Sequence, residues 1–452
     1  MYESESSVYT YTVWGSGTES SPYGSTLEAV ETSEDVLYVQ SALEGYPLRT
    51  VSSLGTCGAS AVVLPDTVRT VEAGAFDGCA NLEAVYFLGD KPDIEGEIPV
   101  PCIRLEGTSG WGSEEVLELE EVSAGGSVVL CYTISGEATV HALSSGTDVA
   151  VPSATADGTP ITSVGDGAFE GTSVASVSLS DGIWRIGVRA FHSCQSLVSA
   201  DLPDSLLAIC GEAFRDCVGM GNVDLPDVTF IGFEAFRDCR SMTSISIPDS
   251  VTEIRDGAFY LCRAARSLEL GAGVTSVPAR CFGYLDQLQT VDLSGVTALG
   301  AYAFYDCVAL ESVDLGSVES VGARAFGGCY GLCDVGRLGS ATDVGDYAFQ
   351  GCRSLTSVTF AGTLETLGAY AFYDCRQLET VSFEGDMPSI GEGAIPSGTV
   401  AEIRSSHSSS WSGYEGEVRV LDDGSAVPWI PIIVVLVAVV AAAVFVVRRR
   451  TA

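Results

Sequence analysis

The sequence predicts a parallel β-solenoid of stacked 22–23-residue rungs with short helical turns, followed by one C-terminal transmembrane helix. Three observations predict it. An Ala-Phe pair recurs in register through the middle of the chain, apolar and polar residues alternate behind each pair, and an uncharged apolar stretch near the C-terminus ends in three arginines.

The pair stands at Phe169, Phe191, Phe214, Phe236, Phe259, Phe304, Phe326, Phe349 and Phe372, with Cys281-Phe282 in the one gap, and each step is 22 or 23 residues. A separate copy lies at Ala75-Phe76. Five residues before each Phe there is an aliphatic residue, such as Ile186, Ile231 or Val344; Cys follows most copies by three residues and Leu or Met by six. The residues nine and eleven after the Phe are apolar, as in Val313 and Leu315, which marks a short strand with one buried face. A single rung cannot bury these side chains, whereas stacked rungs bury them as continuous columns. The copy at Phe282 loses the Ala and the later Cys but keeps the spacing, so the Phe column is the essential filler.

The pattern Ile-Gly-x-x-Ala-Phe-x-x-Cys-x-x-Leu, carried well by Ile231 to Met242 and Val344 to Leu355, resembles the BspA-like leucine-rich-repeat family. The resemblance covers roughly residues 150–390 plus one copy near 60–88. It implies a curved leucine-rich-repeat solenoid on a microbial surface, associated with adhesion. The partner implied is a host or microbial surface protein or glycan, with no cofactor.

A second duplication frames the repeats. Gly45 to Val51 parallels Gly158 to Val164 on entry, Leu82 to Ile94 parallels Leu378 to Ile390 on exit, and both exits run on to a Trp, Trp111 and Trp411. These flanks read as caps over strand edges that would otherwise invite aggregation. The expected organisation is a short repeat module with cap at 1–112 and the main capped solenoid at 113–415. A linker at 416–428, a membrane helix at 429–447 and a tail at 448–452 follow.

The net charge of −38 comes from 60 acidic residues against 22 basic ones, of which Lys91 is the only lysine. Shortage of cations argues against nucleic acid or an anionic lipid surface as partner, since both are held by basic patches. Ile430 to Val447 is an uncharged stretch of 18 residues, enough to cross a hydrocarbon core of about 30 Å. Arg448, Arg449 and Arg450 put the C-terminus in the cytoplasm and the solenoid outside, as a single-pass protein of the cell membrane. Met1 to Thr10 has no basic or apolar region of a signal peptide. The start then lies upstream, or the protein is tail-anchored and faces the cytosol; the arginine tail favours the first.

Nine of the 15 cysteines occupy the repeat column. Neighbours there come close enough for disulfides, but their Cβ vectors run parallel, which favours small buried hydrophobes. No Cys-x-x-Cys supports zinc. Ten residues after the Phe, on the outward side of the strand, stand Asp201, Asp224, Glu269, Asp292 and Asp314, beside hydroxyls such as Ser199, Ser267, Thr290 and Ser312. They are the candidate ligand-binding residues, for a cationic partner or Ca²⁺; a plain solvated acidic face gives the same pattern. Of the histidines His141, His192 and His407, none lies in a nucleophile motif, and His192 reads as solvated. No catalytic residue and no metal site is assigned. The expected function is non-catalytic adhesion or surface recognition, with a structural spacer of the cell envelope as the alternative.

Overall fold

The computed structural model describes residues 2–4, 7–14, 24–32, 35–43 and 46–423. The tail stretch Ile430 to Val447 lies outside them; among the described residues no helix is long and apolar enough to cross a membrane.

Each rung has three sides, set by the sequence columns. The first is a two-residue strand whose second residue is the aliphatic one five before the Phe. These pair in parallel from Ile161–Val164 through Arg185–Ile186, Ala208–Ile209 and Phe230–Ile231 to Glu253–Ile254. A second run goes from Ser276–Val277 to Ser389–Ile390. The third side is the alternating strand after the Phe, as in Ser176–Leu179, Ser199–Asp201 and Ser357–Phe360.

The second side, around the Phe, departs from expectation. Helical turns were predicted there, but the backbone makes consecutive i→i+3 turns, and 3-10 helix occurs among the described residues only at Ser405–His407 and Ser410–Gly413. The reason is local. The residues two before and two after the Phe are left-handed, as at Arg189 (φ 57°) and Ser193 (φ 59°), and a right-handed helix cannot propagate through them. The alternation turns every second N–H toward the next rung. Arg189, Phe191 and Ser193 donate to the carbonyls of Gly211, Ala213 and Arg215 at 2.9, 2.7 and 2.8 Å. The turn edge is therefore a hydrogen-bonded ladder in its own right.

Inside, the Phe rings stack along the rod at 4.8–5.8 Å, with planes within 10° of parallel over most of its length. Each of these rings is fully buried, a gain of about 1.5–3 kcal/mol apiece. Eight column thiols are free and donate to the Phe carbonyl one rung earlier, from Cys194 to Phe169 at 2.9 Å through Cys375 to Phe349 at 3.0 Å. A small hydrophobe with a weak donor is what this site takes.

Both strand ladders fail together at one step, from the Phe259 rung to the Phe282 rung. Elsewhere the residue four before the Phe donates to the previous rung, as Gly232 does to Ile209 and Gly300 to Val277 at 2.8 Å. Pro278 holds that place and has no N–H, so Glu253–Ile254 and Ser276–Val277 do not pair. The third side also lacks pairing there, between Ser267–Glu269 and Thr290–Val291. Phe282 tilts 19° and 27° against its neighbours, and only the turn edge carries its bonds across.

Both repeat segments begin and end alike. Ser127–Ile134 and Glu137–Ser145 form an antiparallel hairpin whose second strand pairs in parallel with Ile161–Val164. Ser7–Trp14, Gly24–Thr32 and Tyr46–Val51 repeat that arrangement. At the exits Trp111 leans on Phe87 at 4.8 Å and 55°, and Trp411 on Phe383 at 4.7 Å and 51°. Leu54 takes the Phe place in the first segment, its N–H bonded to Ala75 at 2.9 Å, with Cys57 three residues on. Among the described residues no sheet contains strands from both sides of residue 118, but the two segments touch through Val63 and Leu105 against Tyr132 and Ile134. The Ser41 N–H reaches Asp166 Oδ2 at 3.0 Å.

Candidate recognition surface

Pleating sends alternate residues of the third side outward. Asp201, Asp224, Glu269, Asp292 and Asp314 are all exposed. They do not converge into one cluster. Asp201 accepts a hydrogen bond from the Ser178 hydroxyl at 3.1 Å and Glu269 from Ser246 at 3.3 Å, each from the paired residue one rung before. Asp292 and Asp314 each accept an amide N–H two residues on, from Ser294 at 2.9 Å and Gly316 at 3.0 Å. The Ser294 amide holds the Asp292 carboxyl below the usual carboxylate range. Asp224 lies in a stretch with no strand, where the Asn222 side-chain oxygen replaces the backbone acceptor for the Thr243 and Ser244 amides at 2.8 and 3.0 Å. The face is thus acidic but segmented. Among the described residues no group of three or more His, Cys, Asp or Glu side chains could hold a metal ion.

The turn edge carries chemistry that the sequence reading passed over. His192, expected in solvent, is largely covered, with Nδ1 at 3.1 Å from Glu170 and Nε2 at 3.5 Å from Asp216. Arg189, Glu212, Arg215, Glu234 and Arg237 continue these ion pairs along the next rungs. Burial of Glu212 pushes its carboxyl up, against the pull of Arg215 and Arg189. Beyond Tyr260 the edge changes to tyrosine and arginine: Arg263 lies over Tyr284 at 5.0 Å and Arg353 over Tyr330 at 4.7 Å. Extending the columns to the residues two before and one after the Phe would have shown it, since Tyr302, Tyr347 and Tyr370 hold the first and Tyr260, Tyr305 and Tyr373 the second.

Three-sided parallel rungs around a stacked Phe core, with chemistry displayed as rows of side chains, define a repeat scaffold. The chain belongs to the BspA-type leucine-rich-repeat family: the model described as BspA type leucine rich repeat region matches in six copies at residues 52–97, 162–229, 208–333 and 335–408, more than half of the chain. Among solved structures the chain is similar to a leucine-rich repeat protein from Bacteroides ovatus, with 20% identity over 69% of this chain and 100% of that one and a TM-score of 0.38. A leucine rich cell surface protein from Faecalibacterium prausnitzii shares 22% identity over 68% of this chain and 95% of that one, with a TM-score of 0.44. A leucine-rich repeat protein of T. pallidum shares 29% over 45% and 87%, with a TM-score of 0.37. No curated protein matches.

Proposed function

We propose that this chain is a non-catalytic recognition protein of the cell surface, binding through the third side of its longer repeat segment. Residues 1–112 and 113–415 act as two capped modules on this reading. Ile430 to Val447 anchors them in the membrane, with the rod outside and Arg448 to Arg450 inside. The observation that carries it is the set of exposed carboxylates on the third side. Asp201 and Glu269 stand within its strands, Asp292 and Asp314 just after them and Asp224 in a stretch without strand, with Ser and Thr beside them. Such a set meets a basic protein surface without reorganising, and it steers the encounter electrostatically. Family membership supports the reading, because stacked repeats present extended binding surfaces.

The test is the full chain against arrays of host and microbial surface proteins, beside a variant with all five carboxylates replaced by Ser. Saturable binding should appear and weaken roughly tenfold in the variant, with a flatter dependence on salt. Binding indifferent to the five substitutions removes this face from the account. No saturable binding at all favours a spacer.

A further inference from the structure

On the turn edge, the residue two before the Phe reads Arg280, Tyr302, Arg324, Tyr347 and Tyr370 on five successive rungs. All five are left-handed, with φ of 58°, 61°, 53°, 57° and 54°. The same place is taken by Gly167 and Gly257 elsewhere, so the fold accepts glycine there without the backbone cost of a side chain. The side chains form one continuous stack. Arg280 and Arg324 cover the two neighbours' approaches to Tyr302 at 5.8 and 5.7 Å, Arg324 lies over Tyr347 at 4.6 Å, and Tyr347 stacks on Tyr370 at 5.2 Å.

At its far end the stack meets a carboxylate, the Tyr370 hydroxyl donating to Glu392 at 2.8 Å. In a chain of net charge −38, the other arginines of the edge are paired, Arg263 with Asp286 and Arg353 with Asp374 at 2.8 Å each. Arg280 is exposed, and Arg324 donates to the Tyr302 hydroxyl at 2.7 Å and to Gln350 at 3.4 Å. Among the described residues no carboxylate forms an ion pair with either.

We propose that this stack binds a linear polysaccharide that carries uronate carboxylates along its length. The two guanidiniums stand two rungs apart, above Phe rings spaced 5.6 and 5.5 Å, and a pyranose ring in an extended chain advances about one rung, so they can take carboxylates two rings apart. Arg280 offers a bidentate fork to a carboxylate, and Arg324, whose Nε and Nη1 already donate to Gln350 and the Tyr302 hydroxyl, offers its Nη2. Nucleic acid fits worse. The faces of Tyr302 and Tyr347 are occupied by guanidinium groups and the neighbouring ring, leaving bases little to stack on, and the overall negative charge opposes a dense polyphosphate. This site lies on a different side of the rung from the carboxylate row, so it stands or falls separately from the function proposed above.

The experiment measures binding of the full chain to polygalacturonate and hyaluronate, with dextran, polyglutamate and single-stranded poly(dT) alongside. Saturable binding to hyaluronate or polygalacturonate, absent for dextran, is expected. The R280G/R324G double variant should lose at least tenfold in affinity while its far-UV spectrum and cooperative melting are retained, because glycine suits both backbone positions. Equal binding by parent and variant overturns the proposal, as does absence of binding to both uronates. Tighter binding to polyglutamate or poly(dT) than to either uronate also overturns it, assigning the stack to a peptide or a nucleic acid.

Discussion

At the scale of single residues, the column positions divide into those that fill space and those that finish hydrogen bonds. Phe304 is fully buried between Phe282 and Phe326, so Phe304→Ala should cost about 3–5 kcal/mol in urea unfolding. Phe304→Leu should cost clearly less, since Leu54 fills the same place in the first segment; equal losses would mean the stack depends on ring shape and not on volume. The thiols carry a pH dependence. Burial pushes Cys131 and Cys262 up to about 12, against an unfolded value near 8.5. The folded state holds these protons more tightly, so the stability is complete below the unfolded pKa and is lost as pH rises through the folded one. The melting temperature should fall steadily from about pH 8 to pH 10.5; a flat profile would contradict the burial of these two protonated thiols, one in the entry hairpin and one in the column. Alkylation of the native chain should reach the half-buried Cys102 and Cys333 before any column thiol.

At the scale of elements, the rod is not uniformly cohesive. Across the step from Phe259 to Phe282 both strand ladders are interrupted and the turn edge alone continues. Hydrogen exchange should therefore open first within the rod at residues 252–256 and 274–278. Protection there equal to that of the rungs around Phe214 would contradict the reading of Pro278 as a break. In the sequence the alternating columns mark the third-side strand, whereas the aliphatic column does not read as a strand. The missing Ala and Cys at Phe282 do not reveal the broken step, which Pro278 causes. Nor does the sequence reveal the turn conformation. Left-handed φ is usually legible as Gly or Asn, and here most such positions hold Arg, Glu, Tyr or Asp, held by the ladder bonds between rungs. The five carboxylates were found on the side expected of them, because period-two alternation fixes which face a residue takes. Their separate partners were not foreseeable, since they depend on which Ser or amide stands one rung or two residues away.

At the scale of the whole molecule, two repeat segments with matching entries and exits lie against one another. Tyr132 and Ile134, on the entry hairpin of the longer segment, are buried against Val63 and Leu105 of the shorter one. Replacing both, Tyr132→Ser with Ile134→Asp, should loosen this contact and leave each ladder intact. Scattering should then show a larger radius of gyration with an unchanged far-UV spectrum, whereas collapse of the spectrum would show that the hairpin also holds the longer ladder together. The surplus of carboxylates keeps such a rod soluble and makes every encounter depend on salt.

The central proposal is a surface-held rod that recognises through the outward carboxylates of its third side. The most direct measurement is adhesion of cells displaying the full chain, compared with cells displaying the form in which Asp201, Asp224, Glu269, Asp292 and Asp314 are replaced by Ser. Protease shaving of intact cells reports whether the rod is outside. The account predicts removal of the rod by the protease and adhesion that falls to the background of cells without the chain when the five are replaced. A rod shielded from the protease, or adhesion equal for the two forms, would contradict it.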